Sequence, residues 1–288
     1  MKGPLLAETG STSRTSHERP ECPGAPPAGS AECENGAVEW TPERPAGQEP
    51  LPPGGQPVEE GDSDTFPYAT WGPFGAVGAT LLALFAGMLA SVPFYLIGGI
   101  ESDRDVEGAT AIAIQAVTGL GLALIPIVFA WSWSGGLGAG FRALGFRSFD
   151  VGRASAWAAG AVGIYFAFAI LYSVVVGQPE QEEIVDRFGP LGFQILLIVV
   201  LAPIAEEIAF RGLLFGGLRR RLPMIPAALI GGLFFGLLHF STGWSAVPVL
   251  IFLGTLFAIL YEKTGSLWPP IILHAINNGF AMVVLSAS

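Results

Sequence analysis

The chain is poor in the residues from which most soluble enzymes and secreted domains are built. Of its 288 residues only 13% are charged, three are histidine and two are cysteine. Both cysteines, Cys22 and Cys33, fall within the first 66 residues. Their position excludes a disulfide framework, a C-x-x-C metal knuckle and a cysteine nucleophile from everything that follows. They read as two ordinary thiols in an unordered tail rather than as a redox pair. Lys and Arg number 14 against 24 Asp and Glu, so nothing favours a nucleic-acid partner. Three catalytic signatures are also missing: a G-x-S-x-G elbow, an H-E-x-x-H zinc helix, and paired aspartates within apolar segments.

What is abundant is apolar. Hydrophobic residues make up 51% of the chain and the mean hydropathy is +0.54, the composition of a polytopic membrane protein. The net charge of −10 belongs mostly to residues 1–66, which hold 12 acidic and 4 basic side chains. This Pro-, Gly-, Glu- and Ser-rich stretch has too little apolar surface to offset the entropy of ordering and is read as a disordered tail. It contains no run suited to a signal peptide, so the first span is expected to direct insertion itself.

Seven apolar stretches follow, each near the roughly 20 residues a spanning helix needs. They run over 73–100, 109–134, 154–177, 190–216, 224–240, 246–262 and 268–285. The fifth and sixth are short and suit a tight hairpin, and an eighth, re-entrant piece fits the same pattern. The fold class expected is all-α: a polytopic transmembrane helix bundle behind a disordered N-terminal tail. Its divisions are the tail (1–66), N-terminal spans (67–189) and a C-terminal core (190–288).

Loop charge is asymmetric. Arg142, Arg147, Arg153, Arg219, Arg220, Arg221 and Lys263 lie on one side. Arg104 and Arg187 lie on the other, among Glu101, Asp103, Asp105, Glu107, Glu180, Glu182, Glu183 and Asp186. The positive-inside rule then places the N-terminus in the cytoplasm of a multi-pass cell-membrane protein. Trp71, Trp131, Trp133, Trp244 and Trp268 fall near span ends, where interfacial aromatics belong. Glycines within the spans, among them Gly119, Gly121, Gly160, Gly163, Gly231, Gly232 and Gly236, read as close-packing positions.

Against this background Glu206-Glu207-Ile208-Ala209-Phe210-Arg211 stands out. Charge at the centre of a membrane helix costs at least ~2.5 kcal/mol per residue on insertion scales, and where it occurs it is usually functional. On a helix Glu207 and Arg211 are i,i+4 neighbours in the favourable order, so they can neutralise each other. Glu206 points about 100° away and has no such partner, which makes it the carboxylate available as a general base. Phe235 and His239 share a face of the fifth stretch, as His274 and Asn278 do in the seventh. An imidazole and a carboxamide on one face can offer two donors to an oxyanion, and a carboxylate with a histidine from another helix can deprotonate a water. Counted from the span ends at 1.5 Å per residue, Glu206 and His274 fall in the cytoplasmic half and His239 near the outer end. A steep tilt of the fifth span, or an interfacial start to it, is then needed to bring them together.

Glu206-Glu207-x-x-x-Arg211, Phe235-x-x-x-His239 and His274-x-x-x-Asn278 resemble, in order and spacing, the three motifs of the CPBP (CAAX protease and bacteriocin-processing, or Abi) intramembrane proteases. The resemblance covers about residues 190–285. It implies an endopeptidase in which Glu206 and His239 activate water, His274 and Asn278 hold the oxyanion, and Glu207, Arg211 and Phe235 support the site. It implies as substrate a membrane-associated protein or peptide in the lipid bilayer. The family is labelled metalloprotease, though a glutamate mechanism without metal is also argued for it. Glu206, His239 and His274 could ligate zinc, being suitable ligand types. Two other functions fit the same residues: a non-proteolytic scaffold or bacteriocin-immunity protein, and a proton-coupled transporter.

Overall fold

With no water in the bilayer to satisfy the backbone, long apolar runs close their hydrogen bonds internally as helices. A computed structural model of the chain describes residues 30–34, 37–41, 66–98, 106–177, 189–240 and 243–286. All seven apolar stretches are helical: α1 (Pro73–Gly98), α2 (Gly108–Ser134), α4 (Val151–Val175), α5 (Leu191–Arg219), α6 (Met224–Leu238), α7 (Val247–Thr264) and α8 (Trp268–Ser286). Between α2 and α4 lies the additional piece, α3 (Leu137–Leu144), about 12 Å long and too short to span. Among the described residues five helices, α1, α2, α4, α5 and α7, are long and apolar enough to cross a membrane, while α6 is a shorter apolar helix. The acidic loops at 99–105 and 178–188 lie outside the described residues.

Within the N-terminal 58 residues, which form a separate unit, the backbone of β1 (Ser30–Glu34) pairs antiparallel with β2 (Ala37–Thr41), Ser30 opposite Thr41. The two-residue link Asn35-Gly36 is among the strongest short hairpin signals in any sequence. The rest of the tail, Cys22 included, lies outside the described residues.

The body is organised around α5. From Ala205 to Leu218 its side chains are all buried, because α5 is apolar all round and enclosed by other helices. α6 and α7 form the tight hairpin expected of the two short stretches. A Cβ on Gly232 would meet Thr255 and the Ile251 carbonyl, and one on Gly236 would meet Ile251 and the Val247 carbonyl. Here glycine permits backbone approach. Gly119, Gly160 and Gly163 do not serve packing, since a Cβ at each would have nothing within 4 Å.

At the Arg219 end several polar ties fix the helix ends. Arg219 makes a two-pronged pair with Glu262, Nε to Oε2 at 2.5 Å and Nη2 to Oε1 at 2.8 Å. Arg220 donates to the Ala69 carbonyl at 2.8 Å. The Tyr261 hydroxyl donates to the Leu144 carbonyl across Gly145, whose φ of +99° suits glycine and whose bare Cα leaves room for the phenol. Trp71 is no interfacial anchor: it is fully buried, and its Nε1 donates to the Leu213 carbonyl of α5 at 3.0 Å. Trp131, Trp133, Trp244 and Trp268 remain exposed.

Candidate active site

The two glutamates occupy an α-helical turn of α5, Ala202–Glu207, between two π-helical stretches, Ile195–Leu201 and Ile208–Phe215. Such widened turns are rare in helices and frequent at functional sites. Glu207 is fully buried. Its Oε1 accepts from Arg211 Nη1 at 2.8 Å and also from His274 Nδ1 at 2.9 Å. Glu207 therefore does more than neutralise Arg211, the part that helix geometry alone gives it. Arg211 spends another donor on the Gly254 carbonyl of α7 at 3.0 Å, and its guanidinium lies over the rings of Phe235 and Phe257.

His239 follows the last turn of α6, where its Nδ1 lies 2.8 Å from the Phe235 carbonyl. A carbonyl only accepts, so the ring carries its hydrogen on Nδ1 and turns the Nε2 lone pair outward. Glu207, held as a carboxylate by Arg211, imposes the same tautomer on His274. Both Nε2 atoms face Glu206 Oε2, His274 at 3.7 Å and His239 at 3.9 Å. Glu206 Oε2 is buried and has no hydrogen-bond partner among the described residues. Glu206 Oε2 and the two imidazole Nε2 atoms thus converge on one point.

The mismatch in depth disappears in three dimensions. α5 and α6 share the turn at 220–223. Glu206 lies about 20 Å from the Arg219 end of α5, and His239 about 22 Å from the Met224 start of α6, at 1.5 Å per residue. Ending the fourth stretch at residue 216 places Glu206 too near that turn; the helix runs on to Arg219, so Glu206 and the end of the 15-residue α6 come level. His274 joins them because α8 starts deep, with the Leu267 amide bonded to the Gly145 carbonyl at the end of α3.

Phe235 packs against both imidazoles, with ring centroids 4.8 Å from His239 and 5.6 Å from His274. Asn278 is bonded away from this cluster: its Nδ2 donates to the Ile198 carbonyl of α5 at 3.0 Å. Sequence reasoning missed two contributors from α7, the Gly254 carbonyl and the Phe257 ring, which lies 5.0 Å from His274. Both sit in a stretch whose only visible signal is apolarity, so nothing in the sequence marks them.

Glu206, His239 and His274 are the donor set available to a zinc ion. Tetrahedral zinc with bonds near 2.1 Å holds neighbouring donors about 3.4 Å apart. Glu206 Oε2 lies farther than that from both nitrogens, and among the described residues no group of three or more His, Cys, Asp or Glu side chains is arranged to hold a metal. The residues do not fit a metal in this arrangement, and no step below passes through one.

Fold and site together define a multi-pass membrane protein with a buried carboxylate–imidazole centre. Residues 188–280 match the family described as type II CAAX prenyl endopeptidase Rce1-like. A protein of Bacillus subtilis (strain 168), YdiL, provisionally named a membrane peptidase, is 30% identical over 103 residues, 36% of this chain and 41% of its own length. The membrane-embedded CAAX protease MroQ of Staphylococcus aureus (strain USA300) is 29% identical over 136 residues, 41% of this chain and 54% of its own length. These matches are confined to the C-terminal part of the chain, which is similar to the CAAX-type membrane peptidases. The chain spans about half the length of the curated relatives it matches. No solved structure matches it significantly.

Proposed function

We propose that the chain is an intramembrane endopeptidase in which Glu206 activates a water for attack on a peptide carbonyl. The observation that carries this reading is the convergence of Glu206 Oε2 with the two Nε2 lone pairs, at 3.7 and 3.9 Å. Those separations are too long for direct hydrogen bonds and suit a bridging molecule with two O–H donors. A water held there donates to Glu206 and to an imidazole and keeps a lone pair for the carbonyl carbon. As its oxygen bonds to that carbon, one water proton passes to Glu206 and the carbonyl oxygen becomes an oxyanion. Collapse of the tetrahedral intermediate breaks the C–N bond, and the proton on Glu206 goes to the leaving amine.

His274 in the tautomer set by Glu207 offers the oxyanion no Nε2 hydrogen until it takes up a proton. Asn278 keeps one Nδ2 hydrogen beyond the one given to Ile198. The names of the two relatives, a membrane peptidase and a membrane-embedded CAAX protease, support the reaction class. The substrate we infer is a membrane-associated protein or peptide, with "CAAX" kept as a family name only. It would approach from the side of His239 and Glu206, whose side chains are 25% and 11% exposed against 3% for His274. Loop charge supports a cytoplasmic N-terminus.

Glu206→Ala and Glu206→Gln, assayed in liposomes against a peptide library, test the reading. Both changes should lower cleavage by about 10²–10⁴-fold, the usual contribution of a general base. Cleavage surviving both removes Glu206 from that role. A wild-type protein that cuts no peptide but carries protons makes the chain a transporter instead.

A further inference from the structure

In the first π-helical stretch of α5 the Ala202 N–H reaches back five residues to the Leu197 carbonyl. The next N–H in that register would belong to residue 203 and would reach the Ile198 carbonyl. Residue 203 is proline and has no N–H. The Ile198 carbonyl accepts instead from Asn278 Nδ2 of α8, at 3.0 Å. Only the nitrogen of the carboxamide can donate to a carbonyl, so the orientation of Asn278 is fixed. Its Oδ1 then faces Asn277 Nδ2 at 3.5 Å.

We propose that Pro203 and Asn278 work as one device, in which Asn278 supplies across the helix interface the donor that Pro203 removes from α5. On this account Asn278 is a positioning residue. Its bond fills the Ile198 carbonyl, and so holds in place the turn of α5 that carries Glu206. Pro203, three residues before Glu206, leaves that carbonyl open for Asn278 to fill. An oxyanion role needs Asn278 alone; the positioning role needs Asn278 only because residue 203 is proline.

The inference rests on the peptidase reading for its kinetic readout, and its test separates the two. Wild type, N278A, P203A and N278A/P203A are compared in detergent by peptide hydrolysis and by thermal unfolding. N278A should lower kcat by about 10- to 100-fold, the scale of a small misplacement of a reacting group, with KM unchanged. In N278A/P203A residue 203 again has an N–H for Ile198, and kcat should return to the level of P203A alone. Asn278→Leu, close in size but without the donor, should lose as much as N278A and be rescued in the same way.

A double variant as slow as N278A overturns the proposal and leaves Asn278 acting directly on the reaction, as does full activity in N278A. If N278A fails to fold, recovery of folded N278A/P203A is the expected result and failure of both is the overturning one. If wild type cleaves nothing, the peptidase reading falls. The same proteins then still decide the coupling, through a Tm lowered in N278A and restored, or not, in the double variant.

Discussion

α4 and α7 are both apolar enough to cross a membrane, yet they are used in opposite ways. None of the most apolar window of α4 is buried by protein, and only 17% and 11% of those of α1 and α2. For α5 and α7 the shares are 50% and 56%. Apolar side chains on the first group meet lipid, and those on the second meet other helices. The difference shows what a polar site in a membrane needs. Glu206, Glu207 and Arg211 lie on one of the two enclosed helices, so every charge meets a counter-charge, an imidazole, a backbone carbonyl or an aromatic face. In the enclosed region a change of one group should propagate; in the lipid-facing region it should not.

The largest effect on stability should follow from Arg211. Arg211→Leu leaves Glu207 with His274 as its one bonded partner among the described residues and the Gly254 carbonyl without its guanidinium donor. Losing one member of a buried pair costs about 3–5 kcal/mol, which unfolding in mixed micelles would register. Glu207→Leu/Arg211→Leu removes both charges and should recover much of that loss, since apolar replacement of a whole buried pair is often neutral. Hydrolysis should stay lost, because His274 Nδ1 has no acceptor once Glu207 is gone. Recovery of both stability and hydrolysis would mean that Glu207 serves Arg211 alone.

A smaller effect sharpens the comparison with one residue type. Gly236→Leu drives a side chain into Ile251 and the Val247 carbonyl, three residues before His239. Overpacking of this kind costs about 1–3 kcal/mol, and here it should also displace His239 and slow hydrolysis. Gly160→Leu adds the same atoms to α4 where nothing lies within 4 Å, and should change stability by less than about 0.5 kcal/mol. Equal losses at the two positions would show that α4 is as enclosed as α6.

The two glycines also mark how far the sequence could be read. Long apolar runs announce the helices because the bilayer allows the backbone no alternative. Glu206, Glu207, Arg211, His239 and His274 are conspicuous because polar groups are costly there. Which glycine faces a neighbour and which faces lipid is a tertiary fact, and composition treats Gly160 and Gly236 alike. Glu207 was legible as the i,i+4 partner of Arg211, but its bond to His274 spans 67 residues and leaves no local trace. The relative depth of Glu206 and His239 was misjudged because α5 was ended at residue 216, three residues short of Arg219. Trp71 sits where an interfacial anchor would, and only the Leu213 carbonyl, 142 residues away, explains its burial.

The smallest expected effect lies at the junction of tail and body. Among the described residues Phe66 is the first whose ring packs into the body, against Phe215 and Tyr261 with centroids 6.0 and 5.2 Å apart. Tyr68 follows beneath Arg147, and Trp71 fills the core beside α5. A chain beginning at Phe66 keeps all of these contacts, and hydrolysis in liposomes should equal that of the full chain. Removing residues 1–72 instead takes away Trp71 and its bond to the Leu213 carbonyl, which lies in the π-helical stretch that follows the glutamates. The boundary is therefore a matter of a few aromatic rings. A loss of hydrolysis on deleting only 1–65 would place part of the working protein in the tail and undo the division between the two regions.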